Sequence, residues 1–318
     1  MPSASGSGPS VEPAGPPAGG ATLLTSTLPC VNVAIVGAGR VGTAMGVLLA
    51  RSGHAVVAAA GRGRASRDRV ERYLPGVPFV GSTEAASRGD VVLLSVPDDR
   101  VRETCQTLAR RGAFSEESSA VHFSGANPLE DLASAEEAGA LVLSVHPLQT
   151  APDVDTAIER FPGSGFAITA RSEQGFALGE DLARSAGGRP FRLLDEHKPL
   201  YHAAAVFCSN YLTVSTGIAE RLFAAAGIPE ARSVFAPLAE ASVDAALLRG
   251  AGEALTGPVV RGDAGTVRRN LEALKERAPD CIPVYLTLAR AALDMAAGEK
   301  RLGPRERARV EEVLDAWT

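Results

Sequence analysis

Val31-Asn32-Val33-Ala34-Ile35-Val36-Gly37-Ala38-Gly39-Arg40-Val41-Gly42 is the stretch whose reading decides the fold. Its first half is apolar without polar alternation, which fits a strand buried on both faces of a parallel sheet. Glycines then fall at positions 37, 39 and 42. In that spacing Gly37 permits a tight turn, Gly39 lets a pyrophosphate approach the backbone, and Gly42 lets the next helix pack close to the strand. The helix, from about Arg40 to Arg51, would turn its free N–H groups and positive dipole end toward the phosphates, with Arg40 and Val41 in its first turn. Ordinary strand-to-helix turns also use such glycines. What favours a nucleotide here is the setting, after a strand, at the start of a helix, and followed by further strand and helix units.

Upstream the chain changes character. Residues 1–30 are rich in Pro, Gly, Ser and Ala, contain no Lys or Arg and show no hydrophobic period. Such a segment cannot bury enough apolar surface to offset its ordering, so it reads as a disordered leader. It lacks the basic start and long apolar core of a secretory signal, and no segment approaches the length of a membrane span. A net charge of −5 gives no footprint for nucleic acid. The four cysteines, Cys30, Cys105, Cys208 and Cys281, lie far apart with no metal-ligand or redox spacing, which leads to the expectation of reduced thiols in the cytoplasm and no metal.

Downstream, strands and helices alternate. Strands are expected at 55–60, 77–80, 90–96, 120–123, 140–145, 164–170 and 190–194, and helices at 66–73, 99–110, 128–138 and 173–186. This is the pattern of an α/β doubly wound sheet, residues 31–196, whose ligands bind beyond the carboxyl ends of its strands. From His197 the strands stop, and an all-helical C-terminal domain, residues 197–318, is expected, opened by a long helix over 198–226.

An acidic residue closing the second strand would mark a preference for NAD. This chain instead has Gly61-Arg62-Gly63-Arg64 there. Guanidinium groups bind a 2′-phosphate by paired charge-assisted hydrogen bonds, so Arg62 and Arg64 point to NADP(H), the alternative being the solvated start of a helix. Ser95-Val96-Pro97 and Ser124 are strand ends on the expected path of the cofactor; plain strand termination is the other reading.

On the long helix, Lys198, His202, Ser209, Asn210 and Thr213 gather on one side. At 100° per residue, Ser209 and Thr213 fall about 20° from His202, Lys198 about 40° and Asn210 about 80°. A polar stripe on an otherwise apolar helix suggests a cleft wall. His202 would donate a proton as hydride arrives, the alternative being a hydrogen-bonded core histidine at the domain junction. Asn210, roughly 12 Å farther along the axis, would orient the substrate or the nicotinamide amide. His146, in His146-Pro147-Leu148-Gln149, follows a buried strand at its ligand end and is a substrate contact or a packing residue. Arg261 lies in the helix-breaking stretch Thr256-Gly257-Pro258-Val259-Val260-Arg261-Gly262-Asp263. It would hold a substrate carboxylate, or pair with Asp263, which would cap the next helix.

Together with the glycine turn, His146-Pro147-Leu148-Gln149, Tyr201-His202-Ala203-Ala204-Ala205-Val206-Phe207, Ser209-Asn210-Tyr211 and the Thr256–Asp263 stretch resemble a family of bacterial Rossmann-like proteins whose helical C-terminal domain is of unknown function. The architecture is similar to ketopantoate reductase and pyrroline-5-carboxylate reductase. The resemblance implies an NADP(H)-dependent reductase of a small molecule, working in a cleft between its domains, and a homodimer formed through the helical domain. A small 2-keto acid is the expected substrate. The alternatives are an imine, or no catalysis at all in an NADP(H)-binding protein. Ketopantoate reductases carry a Lys on the interdomain helix; here the stripe has His202 and Asn210, with Lys198 one turn earlier, so that lysine's role does not transfer directly. Lys198 and Ser209 are expected to contact substrate.

Overall fold

The computed structural model describes residues 30–299 and 301–318, so the leader expected over 1–30 lies, apart from Cys30, outside the described residues. The apolar runs form strands β1 (Asn32–Val36), β2 (Ala55–Ala60), β3 (Val91–Leu94), β4 (Ser119–His122), β5 (Leu141–Pro147), β6 (Gly165–Ala170) and β7 (Arg189–Arg192). They make one sheet in the order β2-β1-β3-β4-β5-β6-β7. Pairing is parallel from β2 across to β5, β6 runs antiparallel to β5, and β7 is parallel to β6. After β1 the chain moves outward to β2, then crosses to β3 on the other side. The loops following β1 and β3 therefore part, and the crevice of a doubly wound sheet opens between them.

Helices cover both faces. On one, α1 (Arg40–Arg51), α2 (Gly63–Tyr73), α6 (Val154–Arg160) and α7 (Glu173–Ser185) pack Met45, Leu49, Val70, Ala157 and Leu182 against Ile35, Val121 and Val145. On the other, α3 (Ser82–Ala86), α4 (Val101–Arg110) and α5 (Ala133–Glu137) bring Ala85, Val101, Leu108 and Ala135 onto Val36, Val92 and Val142. Burial on both faces is why these strands read as continuous apolar runs. Asp153 and Ser172 cap α6 and α7 by accepting the backbone N–H groups of Thr156 and Gly175.

Two expected elements differ. The strand at 77–80 is only a bridge between Ala59 and Phe79, because Pro78 has no N–H to extend a ladder. The helix at 128–138 begins as a 3₁₀ turn, Leu129–Leu132, before α5.

One compact unit ends at Ala205, and a second spans Val206–Thr318. The first unit takes two turns of the helix that the sequence assigns to the second domain, because the opening of α8 (Lys198–Val206) is fastened to the strand ends described below. The second unit contains a π-helical turn (Phe207–Tyr211), α9 (Leu212–Ala225), α10 (Ala231–Arg249), α11 (Ala251–Ala254), α12 (Ala264–Arg277), α13 (Ile282–Gly298) and α14 (Pro304–Asp315). Its core gathers Val267, Leu271, Leu286, Leu293, Val310 and Leu314. No helix among the described residues is long and apolar enough to cross a membrane.

Candidate functional site

The glycine turn separates three roles. Gly37 sits at φ +99°, and a Cβ there would lie 2.5 Å from the Ser95 carbonyl oxygen. A Cβ at Gly42 would lie 2.7 Å from Ser95 Cβ and 2.8 Å from the Gly37 carbonyl oxygen. Both glycines are therefore demanded by the protein's own packing. Gly39, the residue before α1, is different. Its φ is −83°, and a Cβ there would meet nothing closer than the Ser95 carbonyl oxygen at 3.8 Å. Nothing in the protein requires that position to lack a side chain, and it opens onto a cavity of about 330 Å³ bounded by Gly37, Gly39, Arg62, Ser95, Val96 and Pro97. The twelve-residue α1 starts there with no side chain capping it, so its first N–H groups and dipole face the same space.

Arg62 lies at the end of β2, where the second-strand residue was expected, and lines this cavity and a neighbouring one of about 520 Å³ that also has Thr107 and Arg111 in its wall. Arg64 does not share that position. Its side chain is 92% exposed, ion-paired with Asp68 at 3.6 Å along α2. The helical geometry of Gly63–Tyr73 turns position 64 away from the strand end. Arg69, which the sequence offered only as part of a solvated helix start, donates from Nη1 to the Ala38 carbonyl at 2.6 Å and so pins the glycine turn to α2. Arg40, Val41, Ser95, Val96, Pro97 and Ser124 border a further space of about 360 Å³ beyond β3 and β4.

Past β4 the chain folds into a polar knot. Ser124 Oγ donates to Asp98 Oδ2 at 2.7 Å and accepts the Asn127 N–H at 3.0 Å. Asn127 Nδ2 reaches the Asp98 carbonyl and Asp131 Oδ2, each at 2.7 Å. The Asp195 carboxylate accepts the Leu129 N–H. Lys198 lies under this knot, 1% exposed. Its ammonium donates to the Ser124 carbonyl at 3.0 Å and Ser144 Oγ at 2.8 Å. Burial pushes its pKa down to about 8, against the opposing pull of Asp195, Asp98 and Asp131. The sequence reading put Lys198 on a cleft wall in contact with substrate; the structure commits it to the interior instead.

Two histidines respond to this environment. His122 is fully buried, accepts the Ser124 N–H on Nδ1 at 3.2 Å, and is held well below its usual pKa by burial and by Lys198. His146 is half-buried, its Nδ1 2.8 Å from the Tyr201 hydroxyl, and burial with the Lys198 and His202 charges brings it down to about 4. Burial raises Tyr201 to about 12. His202 is half-buried beside Tyr201. Tyr201 was quoted in the sequence motif but given no role; its place one turn after Lys198 was the available signal.

The other predicted residues lie in the second unit. Ser209 and Asn210 fall in the π-helical turn, Ser209 half-buried and Asn210 exposed. There i→i+5 bonding widens the turn, so the 100° step that aligned Ser209 with His202 does not carry through. Asp263 caps α12, accepting the Thr266 N–H at 3.0 Å and its hydroxyl at 2.7 Å. Arg261 is exposed; Asp263 takes its hydrogen bonds from Thr266, which hold its carboxyl below the usual range, and the Arg261 charge adds a smaller pull in the same direction. No cluster of His, Cys, Asp or Glu suited to a metal occurs among the described residues.

This site defines a dinucleotide-type Rossmann domain joined to a helical one. Residues 18–147 match the Rossmann-like domain, and residues 164–292 match a domain of unknown function, DUF2520. The chain combines the two. A segment of 89 residues is 37% identical to glycerol-3-phosphate dehydrogenase [NAD(P)+] from Prosthecochloris aestuarii, covering 24% of this chain and 27% of that protein, so only about a quarter of the relative is matched. The fold is shared with a candidate NADP oxidoreductase from Bacteroides fragilis at a TM-score of 0.68, 22% identity and coverage of 83% and 98% of the two chains. It is also shared with an imine reductase from Myxococcus stipitatus in complex with NADP+, at 0.58, 18%, and 84% and 93%.

Proposed function

We propose that the chain is a cytoplasmic, NADPH-dependent reductase of a small carbonyl compound, a 2-keto acid by the sequence resemblance. The observation that carries this reading is Gly39. It is a glycine that the protein's packing leaves unexplained, at the start of an uncapped helix and on the wall of the cavity that Arg62 closes. A pyrophosphate on the α1 N-terminus and a 2′-phosphate on Arg62 account for both. The nucleotide would supply hydride, while Val96, Pro97 and Ser124 would border its reactive end. The proteins that share the fold, a candidate NADP oxidoreductase and an imine reductase among them, support this class of chemistry.

An imine is the second substrate reading, and one feature favours it. The ammonium of Lys198 is already engaged by Ser124 and Ser144, so within the first unit it does not serve as the cation for a keto acid's carboxylate. Exposed leucines on α10 support pairing with a second copy of the chain. Asn210, Ser209 and Arg261 keep their proposed roles toward substrate, to be judged by their effect on KM.

Calorimetric titration with NADPH and NADH tests the reading. NADPH is expected to bind at least about tenfold tighter, about 1.4 kcal/mol, and Arg62→Ala to abolish that margin. Absence of binding by either nucleotide would defeat it.

A further inference from the structure

Reduction of a C=O or C=N bond needs a proton as well as a hydride, and one pair of side chains in the first unit is built to handle it. The Tyr201 hydroxyl lies 2.8 Å from His146 Nδ1. The histidine ring rests on Gly125. A Cβ there would fall 2.9 Å from Cε1 and Nε2 and 3.0 Å from Cδ2, near-equal distances that place it above the ring face. Only glycine leaves that place to an imidazole. The two rings meet edge-on, centroids 5.5 Å apart at 89°, and Phe191 packs against Tyr201 at 6.0 Å. The pair is thus oriented by packing as well as by its hydrogen bond.

Close by, Lys198 ties β4 to β5 through the Ser124 carbonyl and Ser144 Oγ, and Ser144 Oγ itself donates to the Ser124 carbonyl at 3.2 Å. The charged and titratable groups around this ammonium are Asp98, Asp131 and Asp195 on one side, and His122 and His146 at the strand ends. An imidazolium at 146 would face a buried positive charge.

We propose that the His146–Tyr201 pair is the proton donor of this site, the transferable proton lying on the phenol, and that Lys198, which ties β4 to the strand that carries His146, is a positioning residue for the imidazole. The proposal rests on the reductase reading above. A reduced nicotinamide bound at the glycine turn would supply the hydride for the new C–H bond, and the π electrons of C=O or C=N would move to the heteroatom. The Tyr201 O–H bond breaks as the heteroatom–H bond forms, and His146 Nδ1–H donates a hydrogen bond to the resulting phenolate. Water reprotonates Tyr201 after alcohol or amine and oxidised nucleotide leave. His202, the residue favoured by the sequence pattern, then serves as a neighbour of the pair rather than as the donor. Burial of both rings agrees, with His146 down at about 4 and Tyr201 up at about 12.

The test uses the full chain with NADPH bound and two readouts. In spectra of ¹⁵N-histidine-labelled protein, the His146 ring is expected to stay neutral, with Nδ1 protonated, from about pH 9 down to about pH 5, and in Lys198→Met its protonation midpoint should rise by about one unit. In rapid-mixing measurements of NADPH oxidation with 2-oxobutanoate or 2-methyl-1-pyrroline, Tyr201→Phe should slow turnover about 100-fold, with KM and NADPH affinity little changed, and His202→Ala only a few-fold. A His146 that titrates near its ordinary value, or a rate lost with His202→Ala and kept in Tyr201→Phe, would overturn the proposal while leaving the reductase. If neither probe is reduced while the histidine spectra are as expected, the reductase reading and the proton-transfer role fall together and the neutral pair remains. Should Lys198→Met not fold, the wild-type spectra still decide the protonation of His146.

Discussion

The two compact units of this chain solve burial in opposite ways. The first encloses its apolar strands between two helical layers and answers the one lysine it buries, Lys198, with Ser124 and Ser144, while Thr43 Oγ1, Thr169 Oγ1 and His122 Nε2 are buried without a hydrogen-bond partner. The second has a smaller core and leaves large apolar side chains in the open. Leu247 and Leu248 at the end of α10 are 82% and 86% exposed, and Leu238 earlier on the same helix is exposed as well. Side chains of that size outside the core suit a surface that another molecule covers, not an isolated helical bundle. The difference teaches where each unit's information lies. In the first unit it lies in backbone conformation and buried charge; in the second it lies in what the surface displays.

Substitutions in the glycine turn should have the largest effect and break the comparison most directly. Gly37→Ala combines a left-handed backbone with a Cβ against the Ser95 carbonyl, and should cost the first unit about 3 kcal/mol in chemical denaturation. Gly39→Ala meets no close neighbour and should change stability by less than about 0.5 kcal/mol, yet weaken NADPH at least about tenfold. Equal loss of stability in both would remove the argument for a ligand at Gly39.

Acid should divide the units next. All five histidines, His54, His122, His146, His197 and His202, fall before residue 206. His54, His122 and His146 are all lowered, chiefly by burial. The unfolded chain takes up protons as pH falls below about 6.5, while the folded chain refuses them until lower pH, so stability is lost over that interval. The slope is at most about 1.4 kcal/mol per pH unit for each such histidine. Hydrogen exchange should show β1, β4 and β5 losing protection before the fluorescence of Trp317, the single tryptophan and a residue of the second unit, changes.

Smaller effects are expected at the surface. Leu247→Glu with Leu248→Glu should leave the melting curve within about 0.5 kcal/mol while lowering the mass seen by analytical ultracentrifugation. An unchanged mass would remove the support for a second copy on α10. Smallest of all, Arg64→Ala should alter NADPH affinity by no more than about twofold, against about tenfold for Arg62→Ala, which would sharpen the assignment of the 2′-phosphate to a single arginine.

The sequence alone determined the doubly wound sheet, the glycine turn and the change to helices after residue 197. These depend on local pattern: buried strands read as unbroken apolar runs, and a turn at φ +99° against a neighbouring carbonyl admits only glycine. It also brought Arg62, His146, Lys198 and His202 into view as polar residues at strand ends or on one helix face. Only the tertiary structure decided what each does. Arg62 and Arg64 are two residues apart, yet one lines a cavity and the other pairs with Asp68. Lys198 and Tyr201 share a turn of helix, yet one is sealed beneath β4 and β5 while the other meets His146. Ser124, Gly125 and Asn127 of one loop, Ser144 of β5, and Asp98 and Asp195 from distant stretches make that surround, and serine, asparagine and glycine are common in any loop. Their meaning comes from long-range packing, which buries Lys198, His122, His146 and Tyr201 and so shifts their protonation.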